Sequence, residues 1–406
     1  MALFLPKLIL HRSRNRPLTK TIIMLRTLSS TLLILVIVLP GRGQSPPPDL
    51  TTRLNKIPAQ NPPSTIPDTA AARLLTDTPV THPVPALTIS GSADLYYRYD
   101  LARTDKNELT SFTRSNNQFR LGMASIRLEH KTTRVDMVAD LGIGSRQQEY
   151  AYNDQGIAQV IKQLYISYSP CTWLKLTGGT WATHLGYEVV DAYVNRNYSM
   201  SYLFTNGPFS HTGVKADLSS GKSGLMIGIA NPSDYRSIPA GGQSNMQLIA
   251  QYSYTASDNL KLYFNYVGGH DVQDNKTHQY DFTLSAKTSS LFSFGVNSSM
   301  NKSSLAVEKY AWSRTWWGSA LYLNLDPTHW LGLTLRTEYF NDEKGQRLPA
   351  PASVFATTLS ANLKVDGFTF IPEFRLDHAN TPIFFDHNNG PTHTAANFLL
   401  AAIYSF

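Results

Sequence analysis

The stretch Leu87-Thr88-Ile89-Ser90-Gly91-Ser92-Ala93-Asp94-Leu95-Tyr96-Tyr97-Arg98-Tyr99 decides the fold. Leu87, Ile89, Ala93, Leu95, Tyr97 and Tyr99 share one parity; Thr88, Ser90, Ser92, Asp94, Tyr96 and Arg98 share the other. An extended chain sends successive side chains to opposite faces, so this is a strand with one apolar and one hydrophilic face. The pattern returns at Leu331, Leu333 and Leu335 against Thr334, Arg336 and Glu338. It returns again at Phe368, Phe370, Phe374 and Leu376 against Thr369, Glu373, Arg375 and Asp377.

Sixteen such segments are expected, near 87–99, 117–131, 133–144, 158–169, 172–183, 209–219, 222–231, 245–256, 259–269, 278–288, 291–301, 313–325, 329–341, 353–365, 367–378 and 394–406. A phase slip between Met123 and Ile126 calls for a β-bulge. Ordinary strands run to about 5–6 residues, whereas a tilted strand crossing a bilayer needs about 9–11. These are long enough to cross, and a secreted β-sandwich built from them would be unusually tall. Short connections (such as Lys131-Thr132, Ser257-Asp258 and Asp366) alternate with long ones at 100–116, 145–157, 184–208, 232–244, 270–277, 302–312, 342–352 and 379–393. That alternation predicts an all-β, transmembrane antiparallel β-barrel of about 16 strands, with short periplasmic turns and long extracellular loops. Aromatic residues near strand ends, among them Tyr97, Tyr168, Trp173, Tyr252, Trp316, Trp317, Trp330 and Tyr339, fit girdles at the two interfaces.

The composition agrees. Of 406 residues only 16% are charged, against about 25% in soluble globular chains. Mean hydropathy is −0.23, and past residue 40 no run approaches the roughly 18 apolar residues of a spanning helix. One cysteine, Cys171, excludes an internal disulfide and a cysteine-based zinc site. The net charge of +7 comes from residues 1–43, which hold seven Lys or Arg and no acid. Beyond them the chain is formally neutral, so nothing points to nucleic acid.

Basic residues around Arg26, the apolar run Leu32–Leu39 and small residues at Gly41-Arg42-Gly43 predict a signal peptide over 1–43. Residues 44–86 are proline-rich and predict an unfolded periplasmic linker to a barrel over 87–406.

Alternation assigns to the lumen Arg98, Arg120, Arg127, Arg134, Lys175, Lys215, Lys261, Lys287, Arg336, Lys364 and Arg375. Opposite in sign stand Asp94, Glu129, Asp136, Asp140, Asp217, Asp281, Glu338, Glu373 and Asp377. Charges are costly against hydrocarbon and tolerated in a wet lumen; eleven against nine predicts weak ion selectivity at most. The longest connection, 184–208, falls between the fifth and sixth strands. A barrel this wide needs narrowing, and the loop offers Tyr187, Glu188, Asp191, Asn195, Arg196, Asn197, Tyr198, Ser199 and Tyr202 as a pore constriction. The final strand places Tyr404 and Phe406 at the C-terminus and resembles the signal read by the barrel assembly machinery.

Gly186-Tyr187-Glu188-Val189, then Asn195-Arg196-Asn197-Tyr198-Ser199-Met200-Ser201, Phe204 and Gly207-Pro208-Phe209-Ser210-His211-Thr212-Gly213-Val214 carry a family resemblance. On them the chain resembles the putative beta-barrel porin-2 (OmpL-like) family. Members commonly carry an Arg between the two serines where this chain has Met200; an ion preference set by that Arg does not carry over. The resemblance implies passive diffusion of small hydrophilic solutes or ions and no particular substrate.

The expected protein is therefore an outer-membrane pore and not an enzyme, with no cofactor. Its expected partners are outer-membrane lipid, the barrel assembly machinery and small solutes; assembly with further copies of itself stays open. Two alternatives remain: a structural or partner-docking barrel with little conductance, motivated by the linker, and an outer-membrane hydrolase. For the second, His184, His211, His378, His387 and His393 could meet at the outer rim, but no recognised catalytic motif accompanies them.

Overall fold

The computed structural model describes residues 87–306 and 314–406. The expected signal peptide and linker (1–86), and part of the loop 302–312, lie outside the described residues.

Alternating polarity becomes sixteen long strands and a short ribbon. The first half of the barrel is β1 (Thr88–Asp100), β2 (Gln118–Lys131), β3 (Val135–Ile143), β4 (Ile161–Cys171), β5 (Leu174–Ala182), β6 (Ser210–Ser220), β7 (Ser223–Ala230) and β8 (Gln247–Ser257). The second is β9 (Leu260–His270), β10 (Lys276–Lys287), β11 (Phe292–Ser304), β12 (Arg314–Thr328), β13 (Leu331–Asp342), β14 (Ala352–Val365), β15 (Phe368–Ala379) and β18 (Thr394–Ser405). β16 (Phe384–Phe385) and β17 (Pro391–Thr392) pair only with each other, inside the last long loop. Each barrel strand pairs antiparallel with its neighbours, and β18 closes the sheet against β1 from Ser92↔Ser405 to Asp100↔Asn397. Backbone bonds between Gly91 and Phe406 in both directions, 3.1 and 3.0 Å, finish the seam. No edge is left unpaired, as hydrocarbon requires.

Every expected strand is present, with ends displaced by three residues at most. The long connections are less plain than expected. One holds helix α1 (Ser145–Tyr150), another helix α2 (Tyr202–Asn206), and the last holds the ribbon. The bulge lies at Gly122–Met123, slightly before its expected place, where Ala93↔Ala124 gives way to Leu95↔Leu121. Asp94 fills it by accepting the Met123 N–H at 3.2 Å.

Burial is inverted relative to a water-soluble protein. Arg98, Arg336 and Arg375 are each 1% exposed, while Phe119 is 76% exposed and Leu359 54%. Such a surface is stable only where hydrocarbon surrounds it. Outward aromatic pairs cross the strands, Tyr97 with Phe119 at 5.0 Å and Trp317 with Tyr339 at 5.4 Å. Trp316 corrects one expectation. Consecutive residues of a strand face opposite sides, so Trp316 points inward, fully buried against Phe340, while Trp317 serves the girdle. Arg134 is a second correction, because it stands in the β2–β3 turn and not on the wall. Among the described residues no helix is long and apolar enough to cross a membrane.

Candidate functional site

The connection between β5 and β6 turns into the barrel. Its base is tied where the Thr183 N–H donates to the Phe209 carbonyl at 2.9 Å. From there its contacts run around the wall. His184 Nε2 lies 3.1 Å from the Tyr266 carbonyl on β9, and the Gly186 N–H donates to Asp281 on β10 at 3.0 Å. Tyr187 stacks on Tyr322 of β12 at 4.2 Å and lies over bare backbone at Gly295 of β11, where any Cβ would overlap its ring. Glu188 accepts from Arg336 of β13 at 2.5 Å. Arg196 holds Asp326 of β12 and donates to Thr334 Oγ1 on β13 at 2.9 Å. Asn197 donates to Ser360 of β14 at 2.7 Å. The N–H groups of Tyr198 and Ser199 donate to Glu373 of β15 at 2.9 and 3.2 Å, and the Tyr198 hydroxyl bonds Asp94 of β1. Asp191 takes Lys162 of β4 at 2.6 Å. The loop is thus anchored to wall strands all around the lumen.

Its second half closes as a short helix. Ser201 caps α2 by accepting the Phe204 N–H at 3.0 Å. Glu338 receives the N–H groups of Tyr202 and Leu203, both at 2.8 Å. A carboxylate at a helix start satisfies otherwise unpaired donors and opposes the positive end of the helix. Tyr202 is fully buried against Phe340 at 5.6 Å, and its hydroxyl donates to Asp377 at 2.9 Å.

All nine residues expected at the constriction therefore lie inside the barrel. Tyr187, Asp191 and Arg196 remain half-buried; Glu188, Asn195, Asn197, Tyr198, Ser199 and Tyr202 are buried. Asn195 braces the loop itself, its side chain bonding both backbone groups of Val189 at 2.6 and 3.1 Å. Apart from Arg134, the expected lumen charges take the lumen face but serve different ends. Arg98 meets Glu108 at 2.9 Å, Arg375 meets Asp377 at 2.8 Å, and Asp140 meets Lys162 at 3.0 Å, each buried. Asp136 with Lys175 at 2.6 Å, and Lys215 with Asp217 at 3.6 Å, lie toward the short turns. Arg120 is exposed and donates to the Arg114 carbonyl at 3.1 Å.

Sequence reading missed several partners. Arg146 of α1 is fully buried, donates to the Val190 and Tyr198 carbonyls at 3.3 Å each, and packs over the rings of Phe112 and Tyr198. Glu108, Thr110 and Phe112, in the loop after β1, also turn inward. Only a charge cluster in long loops hinted at these. Outside the strands, burial drives His184 down to about 4 and raises Asp234 to about 6. Asp234 accepts the N–H groups of Phe209 and Ser210 at 2.6 and 2.8 Å. Among the described residues no group of three or more His, Cys, Asp or Glu could hold a metal.

A family model described as "Putative beta-barrel porin-2, OmpL-like" matches residues 86–406. The chain belongs to this family. It is an outer-membrane porin. No curated protein matches the sequence. Among solved structures, this porin is similar to the outer membrane channel DcaP of Acinetobacter baumannii, with a TM-score of 0.53 at 11% identity over 79% of this chain and 97% of that one. It is similar to an anion-selective porin from Comamonas acidovorans, with a TM-score of 0.53 at 10% identity over 79% and 99%. OmpT of Vibrio cholerae gives 0.52 at 11% identity over 80% and 99%. At such identities the likeness concerns the fold alone.

Proposed function

We propose that the inward loop 184–208 is the constriction of this porin, and that small hydrophilic solutes or ions pass it by diffusion. The observation that carries this reading is the ring of anchors from β9 to β15, β1 and β4, which leaves the loop across the lumen at a fixed height. Tyr187, Asp191 and Arg196, half-buried, are the constriction residues that border the remaining space; Glu188, Asn195, Asn197, Tyr198, Ser199 and Tyr202 hold them there. The barrel acts as a conduit and carries out no catalysis, because its polar groups serve as mutual anchors.

Residues 1–43 direct export, and 44–86 tether the barrel on the periplasmic side, where β1 begins. Tyr404 and Phe406, 49% and 67% exposed beside the closing seam, form the assembly signal and the contact for the barrel assembly machinery. Outer-membrane lipid covers the apolar face. Copies of the chain associate; a Vibrio cholerae OmpT structure described as a trimer form supports that reading.

Deletion of 188–202 tests the constriction. The expected result is a larger single-channel conductance and a higher solute size cutoff in planar bilayers. Unchanged conductance and cutoff would place the constriction elsewhere.

A further inference from the structure

The lumen charges nearly balance in number, but the structure separates them by environment. Asp94, Asp281, Glu338 and Glu373 are 4%, 6%, 1% and 4% exposed. Each accepts backbone N–H groups: Met123 on Asp94, Gly186 on Asp281, Tyr202 and Leu203 on Glu338, Tyr198 and Ser199 on Glu373. These carboxylates are shielded behind donors. The cations near the short turns are not buried in this way.

Lys261 stands on the lumen face of β9, between Thr255 of β8 and Ser285 of β10. Lys287 ends β10 on the same face, opposite Ser293 of β11. Neither is buried, and among the described residues neither has a carboxylate within ion-pair distance. On the far side of β11, Arg196 occupies Asp326, and Lys364 must share that one acid with it. On the other wall strands the mouth-side signs match in number: Arg127, Lys131, Lys175 and Lys215 against Glu129, Asp136, Asp140 and Asp217, with ion pairs at Arg127–Glu129, Arg127–Asp140, Lys175–Asp136 and Lys215–Asp217. The turns add Arg134 (β2–β3) and Lys222 (β6–β7), and Asp258 (β8–β9) and Asp366 (β14–β15), two of each sign. On the strands from β9 to β14, therefore, the mouth-side cations Lys261, Lys287 and Lys364, with Arg196 of the inner loop, face the single mouth-side wall acid Asp326.

We propose that this arc, Lys261, Lys287 and Lys364 with Arg196, is an anion filter at the periplasmic mouth, and that the porin favours small anions, inorganic or carboxylate. This rests on the porin reading and names the class of solute. Cations facing water in a low-dielectric wall with no paired acid, here Lys261 and Lys287, raise the local concentration of anions and exclude cations. The field fades as salt rises, because the Debye length falls from about 10 Å at 0.1 M to about 3 Å at 1 M.

The test is the reversal potential of the full-length porin, isolated from outer membranes, in a planar bilayer under a potassium chloride gradient. The expected sign is that of chloride preference, weakening as both baths are made more saline. Lys261→Glu with Lys287→Glu should shift the potential through zero toward potassium. Lys344→Glu, on an exposed outer loop, should leave it in place. Conductance steps from each variant report a folded barrel. Steps with a wild-type preference for potassium, or with a double variant that does not shift, would overturn the filter and leave the pore intact. A wild-type chain that conducts nothing would instead overturn the porin reading.

Discussion

Two levels of one lumen use charge in opposite ways. At mid-barrel, Glu338 and Glu373 are almost fully buried and each receives two N–H groups from the inner loop. At the turn-side mouth, Lys261 and Lys287 stand toward water, and among the described residues neither has an acid within ion-pair distance. A desolvated charge needs its partners, so a buried one locks structure in place. A hydrated charge needs none, and its field reaches passing ions. The same residue types therefore act as anchors at one level and as a filter at the other.

The largest effect is expected at Arg336, whose guanidinium joins Glu188, Ser199, Met200 and Thr358. Arg336→Ala leaves Glu188 buried and uncompensated, a loss of about 3–5 kcal/mol for such a pair. Lower thermal stability of the folded barrel on semi-native gels, with flickering instead of steady conductance, is the expected result. Removing a mouth lysine should cost no measurable stability.

A smaller effect is expected at Gly295. Gly295→Ala puts a Cβ into the ring of Tyr187 and should cost about 1–3 kcal/mol by overpacking. Stability with a compensating Tyr187→Ala tests this, since the double variant should recover most of the loss.

The smallest effect is expected at Asp234, in the outer loop after β7. Burial raises its pKa to about 6, above the unfolded value, so its stabilisation is complete below about 4 and is lost as pH rises through 6. Amide exchange at Phe209 and Ser210 should quicken over that interval. Asp234→Asn, which keeps the acceptor and removes the titration, should flatten the profile.

How far the chain could be read in advance differs by element. The strands were legible to within three residues, because alternation is local and lipid on one side leaves no other register. The turning-in of the loop was legible from its length and place. Its anchors were not. Glu188 meets Arg336 and Tyr198 meets Asp94 across more than a hundred residues of chain, and no local period records such pairs. Arg146 lies on α1, a helix inside the connection expected over 145–157.

Local alternation was enough for a barrel of about sixteen strands and for the face of each wall charge other than Arg134, since these follow from neighbours a few residues apart. Only the tertiary structure decided which of those charges meet and which remain in water. That outcome depends on where a folded-in loop comes to rest, a matter of distant partners and of how much solvent they exclude.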